Sequence, residues 1–75
     1  MNRVEIYSPS IKLDAALKLA GHVPSGGEAK MRIISGDVLV NAQVCLARGK
    51  KLFPGDTIRI DEIEYTITNY ETANT

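Results

Sequence analysis

The stretch Gly26-Gly27-Glu28-Ala29-Lys30-Met31-Arg32-Ile33-Ile34-Ser35-Gly36-Asp37-Val38-Leu39-Val40-Asn41 leaves this chain few ways to fold. It reads as a short helix, a glycine stop, and a strand that runs into a turn. Ala29 and Ile33 share one helix face at i, i+4 spacing. Ser25 or one of the two glycines can cap the start, with Glu28 in the first turn, where the helix dipole favours an anion. Gly36 ends the helix, because glycine takes the left-handed C′ position with no Cβ penalty. Val38 and Val40 then alternate with Asp37 and Leu39, the period of a strand with one face on a core. Lys30 and Arg32 place two cations on the same small helix.

Upstream, Arg3 to Tyr7 alternates, with Val4 and Ile6 on one side, and predicts a short strand. Ser8-Pro9-Ser10 breaks it, and Ser10 is the expected N-cap of a first helix from Ile11 to Ala20. Leu13, Ala16, Leu17 and Ala20 form the apolar stripe of that helix, and Gly21 stops it. His22-Val23-Pro24-Ser25-Gly26-Gly27 is a tight connection between the two helices. Downstream, Asn41-Ala42 sits where a hairpin turn falls, with Gln43 to Leu46 returning. Ala47-Arg48-Gly49-Lys50-Lys51 is a basic loop, and Leu52-Phe53 returns to the core. Pro54-Gly55-Asp56 is a turn in which proline sets φ and glycine supplies φ > 0. Thr57 to Ile60 is a strand, Asp61-Glu62 a turn, and Ile63, Tyr65 and Ile67 alternate along a last strand. The order predicts an α+β fold, in which two short N-terminal helices pack on a small, mostly antiparallel sheet.

A chain of 75 residues is expected to form a single domain over 1–75, with a small, polar, frayed tail at 71–75. No apolar run approaches the roughly 18 residues that cross a bilayer, and there is no signal-peptide pattern, so the expected location is the cytoplasm. One cysteine excludes an internal disulfide. The formal net charge is zero, but its distribution is uneven. Lys30, Arg32, Arg48, Lys50 and Lys51 face the single anion Asp37 in the middle of the chain. Asp56, Asp61, Glu62, Glu64 and Glu71 face the single cation Arg59 near its end. That asymmetry suits an anionic partner bound on one face.

Lys12-Leu13-Asp14, Ser25, Ala29-Lys30-x-x-Ile33-x-x-Gly36-x-Val38-x-Val40-Asn41 and Gly55-Asp56-x-Ile58 resemble the S4 RNA-binding domain in order and spacing. The resemblance covers a motif core at 11–60. The runs Ser25-Gly26-Gly27-x-Ala29-Lys30 and Arg48-Gly49-Lys50-Lys51-Leu52 resemble in particular the small stand-alone S4 proteins of bacteria, the YaaA/YbcJ-like group. The resemblance implies a non-enzymatic domain that binds structured RNA, often ribosomal RNA or a ribosomal subunit, through the helix pair and the following loop. By position, Lys12 matches the basic residue that opens the first helix, Lys30 the one after the alanine of the second, and Asn41 the asparagine at the hairpin turn. Three residues depart from the pattern. Gly26 stands where many members have arginine. Arg32 occupies a position that is usually apolar, where it either snorkels from the helix edge or joins the RNA face. Ala42 replaces a glycine, so a turn other than the two-residue type I′ is expected.

The residues themselves add a phosphate site at the start of the second helix. Free N–H groups at Gly26 and Gly27 and the positive dipole end suit a phosphate, and Lys30 adds a point charge. The expected contact face is Lys12, Gly26, Gly27, Lys30, Arg32, Asn41, Arg48, Lys50 and Lys51. Tyr7, Phe53, Tyr65 and Tyr70 do not cluster as a stacking platform, so recognition by shape, through phosphates and 2′-hydroxyls, is expected. His22 and Cys45 cannot make a metal site or a catalytic pair; His22 reads as an ordinary loop residue or a helix C-terminal partner and Cys45 as a small apolar filler. No catalytic residue, metal, cofactor, membrane or small-molecule substrate is expected, and a monomer is. The alternative is a protein-interaction module that keeps the fold without binding RNA. A basic patch joining the helix starts to the Arg48–Lys51 loop would favour RNA over that alternative.

Overall fold

The structure is a computed structural model that describes residues 2–70. The tail expected at 71–75 lies outside the described residues. The elements are β1 (Asn2–Ile6), β2 (Ile11–Lys12), α1 (Leu13–Leu19), α2 (Gly26–Ile34), β3 (Val38–Val40), β4 (Gln43–Val44), β5 (Lys51–Leu52), β6 (Thr57–Ile60) and β7 (Ile63–Asn69). A five-stranded sheet runs in the order β1-β7-β6-β3-β4, and β2 and β5 form a separate two-stranded ladder. Only β1 runs parallel to its neighbour in that sheet, with Val4 opposite Ile67; the other pairings are antiparallel. This is the α+β architecture expected from the pattern, with two short strands the pattern did not announce.

Alternation explains the sheet's two faces. Val4, Ile6, Val38, Val40, Ile58, Ile60, Tyr65 and Ile67 turn inward and are buried. They meet Leu13, Ala16 and Leu17 of α1 and Ala29 and Ile33 of α2 in one cluster that also takes in Val23 and Leu52. Burying such apolar surface supplies most of the folding free energy of a small domain. Ile63 shares the inner side but stays 38% exposed, since it directly follows the turn at the end of the sheet. Phe53 does not return to the core with Leu52; it is 52% exposed, and its amide donates to Asp56 Oδ2 at 2.8 Å within the turn.

Both helices stop as their glycines predict. Gly21 has φ +75° and Gly36 φ +81°. The Gly21 and His22 amides donate to the Lys18 and Leu17 carbonyls, and the Gly36 and Asp37 amides to those of Ile33 and Arg32. Each pair is a Schellman ending, which satisfies carbonyls that the last turn leaves over. Of the three candidate caps Ser25, Gly26 and Gly27, Ser25 caps α2, its hydroxyl accepting the Glu28 amide at 3.2 Å. Ser10 does not cap α1. The helix begins at Leu13 behind Lys12, whose backbone is extended and whose side chain makes no cap bond. Ile11 and Lys12 are drawn instead into the ladder with Leu52 and Lys51.

The hairpin after β3 also differs from expectation. Val40 pairs with Gln43 across a two-residue loop, and Asn41 (φ 50°) and Ala42 (φ 71°) are both left-handed. That is the sign of a type I′ turn, whose twist matches that of the flanking strands. Asn41 is held in it from the adjacent strand. Its amide donates to the Thr57 carbonyl at 3.0 Å, and its Oδ1 accepts the Thr57 amide at 3.0 Å. Ala42 has no such compensation, and a left-handed alanine costs roughly 1–2 kcal/mol. Ala42→Gly is therefore expected to stabilise the protein by about 0.5–1 kcal/mol after glycine's extra chain entropy is deducted. Urea unfolding midpoints at unchanged m-value measure this, and a lower midpoint would refute the strain at Ala42.

Candidate functional site

Helix α1 starts against the basic loop. Its first amides lack partners in their own helix, as at any helix start. Here the Leu13 amide donates to the Lys50 carbonyl at 2.9 Å and the Asp14 amide to the Arg48 carbonyl at 3.1 Å. The loop's backbone thus replaces the expected serine cap. Beside it, Lys12 and Lys51 are direct partners in the antiparallel ladder. Lys12, Arg48, Lys50 and Lys51 are all exposed, and among the described residues none forms an ion pair. Like charges directly opposite in a ladder repel. Four cations are gathered at one helix start, where the first turn contributes one carboxylate, Asp14, which accepts the Ala15 amide and pairs with none of them.

The start of α2 carries the second expected group. Gly26 and Gly27 have no positive φ, and a Cβ on Gly26 would meet nothing within 4 Å, while one on Gly27 would meet only Ser25 Oγ at 3.8 Å. Neither backbone conformation nor packing requires glycine at these two positions. Their amides have no acceptor among the described residues, and Lys30 is exposed on the same helix.

Two expected contact residues are occupied within the protein. The Asn41 side chain donates from Nδ2 to Asp56 Oδ1 at 3.1 Å, in addition to its bond from Thr57. Arg32 neither snorkels nor stands free. Its Nε donates to Asp37 Oδ2 at 2.9 Å, and a second guanidinium nitrogen donates to Asp61. These carboxylates raise the guanidinium's pKa further above its already high value, the bond to Asp61 most and that to Asp37 next.

Asp61 belongs to a network that the sequence did not announce. His22 reaches it from the connection between the helices, Nε2 to Oδ2 at 2.8 Å, while Nδ1 lies 2.8 Å from the Tyr65 hydroxyl. A carboxylate can only accept, so in the neutral imidazole Nε2–H donates to Asp61 and Nδ1 accepts from Tyr65. The His22 and Tyr65 rings meet edge-on, 5.7 Å apart. His22 therefore fastens the helix connection to the β6–β7 turn and is no ordinary loop residue. Its partners are distant in sequence, and the single clue was a charge at Arg32 where an apolar side chain is usual. Cys45 is partly buried against the core, as a filler should be. Tyr7 and Tyr70 pack against each other at 5.1 Å beyond the ends of β1 and β7.

Among the described residues no group of three or more His, Cys, Asp or Glu side chains is placed to hold a metal ion. No helix among them is long and apolar enough to cross a membrane.

A helix pair packed on one face of a mostly antiparallel sheet, with a basic loop bonded to the first helix, defines the class. The chain belongs to the S4 domain family, whose pattern it matches over residues 4–68. It is 40% identical over 60 residues to the probable ribosome maturation protein RlbA of Bacillus subtilis (strain 168), covering 80% of this chain and 84% of that protein. The solution structure of YbcJ from E. coli, described as revealing a recently discovered ALFAL motif involved in RNA-binding, is similar at a TM-score of 0.70. That likeness has 28% identity and covers 91% of this chain and 87% of the other.

The network has a pH signature. Arg32 first and His22 second lower the Asp61 pKa from 3.8 to about 2. Between those values the native state binds fewer protons than the unfolded chain, so stability falls as pH falls through that window. Asp61→Asn removes this contribution. The variant is expected to be less stable than the parent at neutral pH and to lose less stability between pH 4 and pH 2. Denaturant midpoints across that range test it, and parallel curves for the two proteins would refute it.

Proposed function

We propose that this protein binds structured RNA without catalysing a reaction, and that ribosomal RNA is its target. The observation that carries the proposal is the cluster at the start of α1: Lys12 faces Lys51 across the ladder, with Arg48 and Lys50 fixed beside them by their carbonyl bonds to α1. An RNA phosphate would relieve the repulsion that the fold builds there. The Gly26 and Gly27 amides and Lys30 offer a second phosphate position on α2. Arg32 and Asn41 serve this face indirectly, Arg32 by tying α2 to the β6–β7 turn and Asn41 by holding the hairpin. The likeness to a ribosome maturation protein and to a structure with an RNA-binding motif supports both the partner and the ribosomal target. The protein-docking alternative would be favoured by cations dispersed among Glu28, Asp37 and Asp14; Asp37 is engaged by Arg32, whereas Asp14 and Glu28 stand in the first turns of α1 and α2. The unpaired state of Lys12, Arg48, Lys50 and Lys51 among the described residues favours RNA instead.

Binding to ribosomal RNA across a salt series, with duplex DNA as control, tests this reading. The joint replacement of Lys12, Lys50 and Lys51 by alanine is expected to weaken binding and to flatten its salt dependence by roughly 0.7–0.9 in log–log slope per lost phosphate contact. Unchanged affinity and slope would remove the face from consideration, and failure of the parent protein to bind RNA at low salt would move the assignment to a protein partner.

A further inference from the structure

Beside the basic loop lies a groove of about 370 Å³ whose walls include Val40, Gln43, Val44, Cys45, Leu46 and Lys50. Val44 is 58% and Leu46 62% exposed, so the fold leaves two neighbouring aliphatic side chains in water. The Lys50 end is fixed, because its carbonyl accepts the Leu13 amide, and Lys50 belongs to the cluster of Lys12, Arg48 and Lys51. Gln43 is exposed, and its side-chain amide has no partner among the described residues. Asn41 also borders the groove, but its amide is spent on Asp56 and Thr57. The surface thus sets an apolar wall and a free amide immediately beside cations that form no ion pair among the described residues.

A nucleotide has the complementary arrangement, with a flat apolar base face, polar base edges and an anionic phosphate one sugar away. We infer that this groove takes one unpaired nucleobase of the RNA whose phosphates lie on Lys12, Arg48, Lys50 and Lys51. The inference rests on the RNA-binding function proposed above and narrows it. A continuous A-form duplex keeps its base faces stacked and cannot offer one to a protein groove. The preferred RNA is therefore a helix interrupted by a bulge or ending in an unpaired nucleotide. Aliphatic walls accept the face of any base, so the groove selects an unpaired position ahead of a particular sequence. An aromatic platform is not needed for that.

The test uses two RNA hairpins of equal length, one fully paired and one with a single bulged nucleotide carrying a fluorescent adenine analogue. The parent protein is expected to bind the bulged hairpin about tenfold more tightly, the effect of burying a few tens of Å² of apolar surface with one hydrogen bond. Its binding should also change the analogue's emission. Joint Val44→Ser and Leu46→Ser replacement keeps the charge and alters only exposed positions. It should abolish the preference and leave affinity for the paired hairpin as it was. Equal binding of both hairpins by the parent, or a preference that survives the double replacement, overturns the nucleobase site while the basic face stands. Binding to neither hairpin overturns both. Light scattering on the same samples covers the remaining occupant: a dimer of the parent protein that the double replacement dissociates would assign the groove to a second copy of this chain and overturn the inference.

Discussion

Two hydrogen bonds at the start of α1 set the position of much else. The Leu13 and Asp14 amides need acceptors, and the Lys50 and Arg48 carbonyls supply them. A serine cap would have satisfied one such group locally without engaging the carbonyls of the basic loop. Using the loop's backbone instead couples residues that lie far apart in the chain. It brings Leu52 into the core opposite Ile11 and sets Lys51 opposite Lys12. The arrangement that completes the helix start is therefore also the one that concentrates charge.

A second set of bonds serves the other end of the helix pair. Asp61 accepts from His22 and from Arg32, which also donates to Asp37 beyond the end of α2. Three segments are drawn together: the connection between helices, the end of α2 and the β6–β7 turn. That turn places both Asp61 (φ 51°) and Glu62 (φ 65°) in the left-handed region, which L residues other than asparagine and aspartate enter at a cost. Bonds to Asp61 from two sides help to hold a backbone that local preference would not choose. The network also fixes which way α2 ends, and so where its first turn, with Gly26, Gly27 and Lys30, is presented.

The parts of this fold visible in the sequence are those governed by local rules. Both helix stops followed from Gly21 and Gly36, the α2 start from the Ser25-Gly26-Gly27 run, and the β6 and β7 inner faces from alternation of Ile58, Ile60, Tyr65 and Ile67. What stayed hidden depends on separation along the chain. The β2–β5 ladder is two residues per strand, too short to show a period, and it displaced the expected Ser10 cap. His22, Asp61 and Tyr65 meet only because the sheet brings β7 beneath the helix connection. Ala42 misled for a different reason. Turn preferences describe the cost of a left-handed alanine correctly, but the strand register and the Asn41–Thr57 bonds outweigh that cost. Of the residues expected to form a contact face, Arg32 and Asn41 are engaged internally, which only the tertiary structure reveals.

That division also resolves the apparent conflict between zero net charge and an anionic partner. A sum over the chain counts every ionised group equally, whereas a partner meets the field of the groups close to the face it binds. Asp37 and Asp61 are bonded to Arg32, and Asp61 also to His22, while Asp56 accepts from Asn41 and from the Phe53 amide. Asp37 and Asp61 are thus paired with Arg32, while the cations of the loop and Lys12 form no ion pair among the described residues. Screening confines each charge's influence to about 8 Å at physiological ionic strength, so the field above the α1 start is set by the groups gathered there. A sum of zero is therefore compatible with a local excess of cations at the α1 start, where Lys12, Arg48, Lys50 and Lys51 stand with the single carboxylate of Asp14.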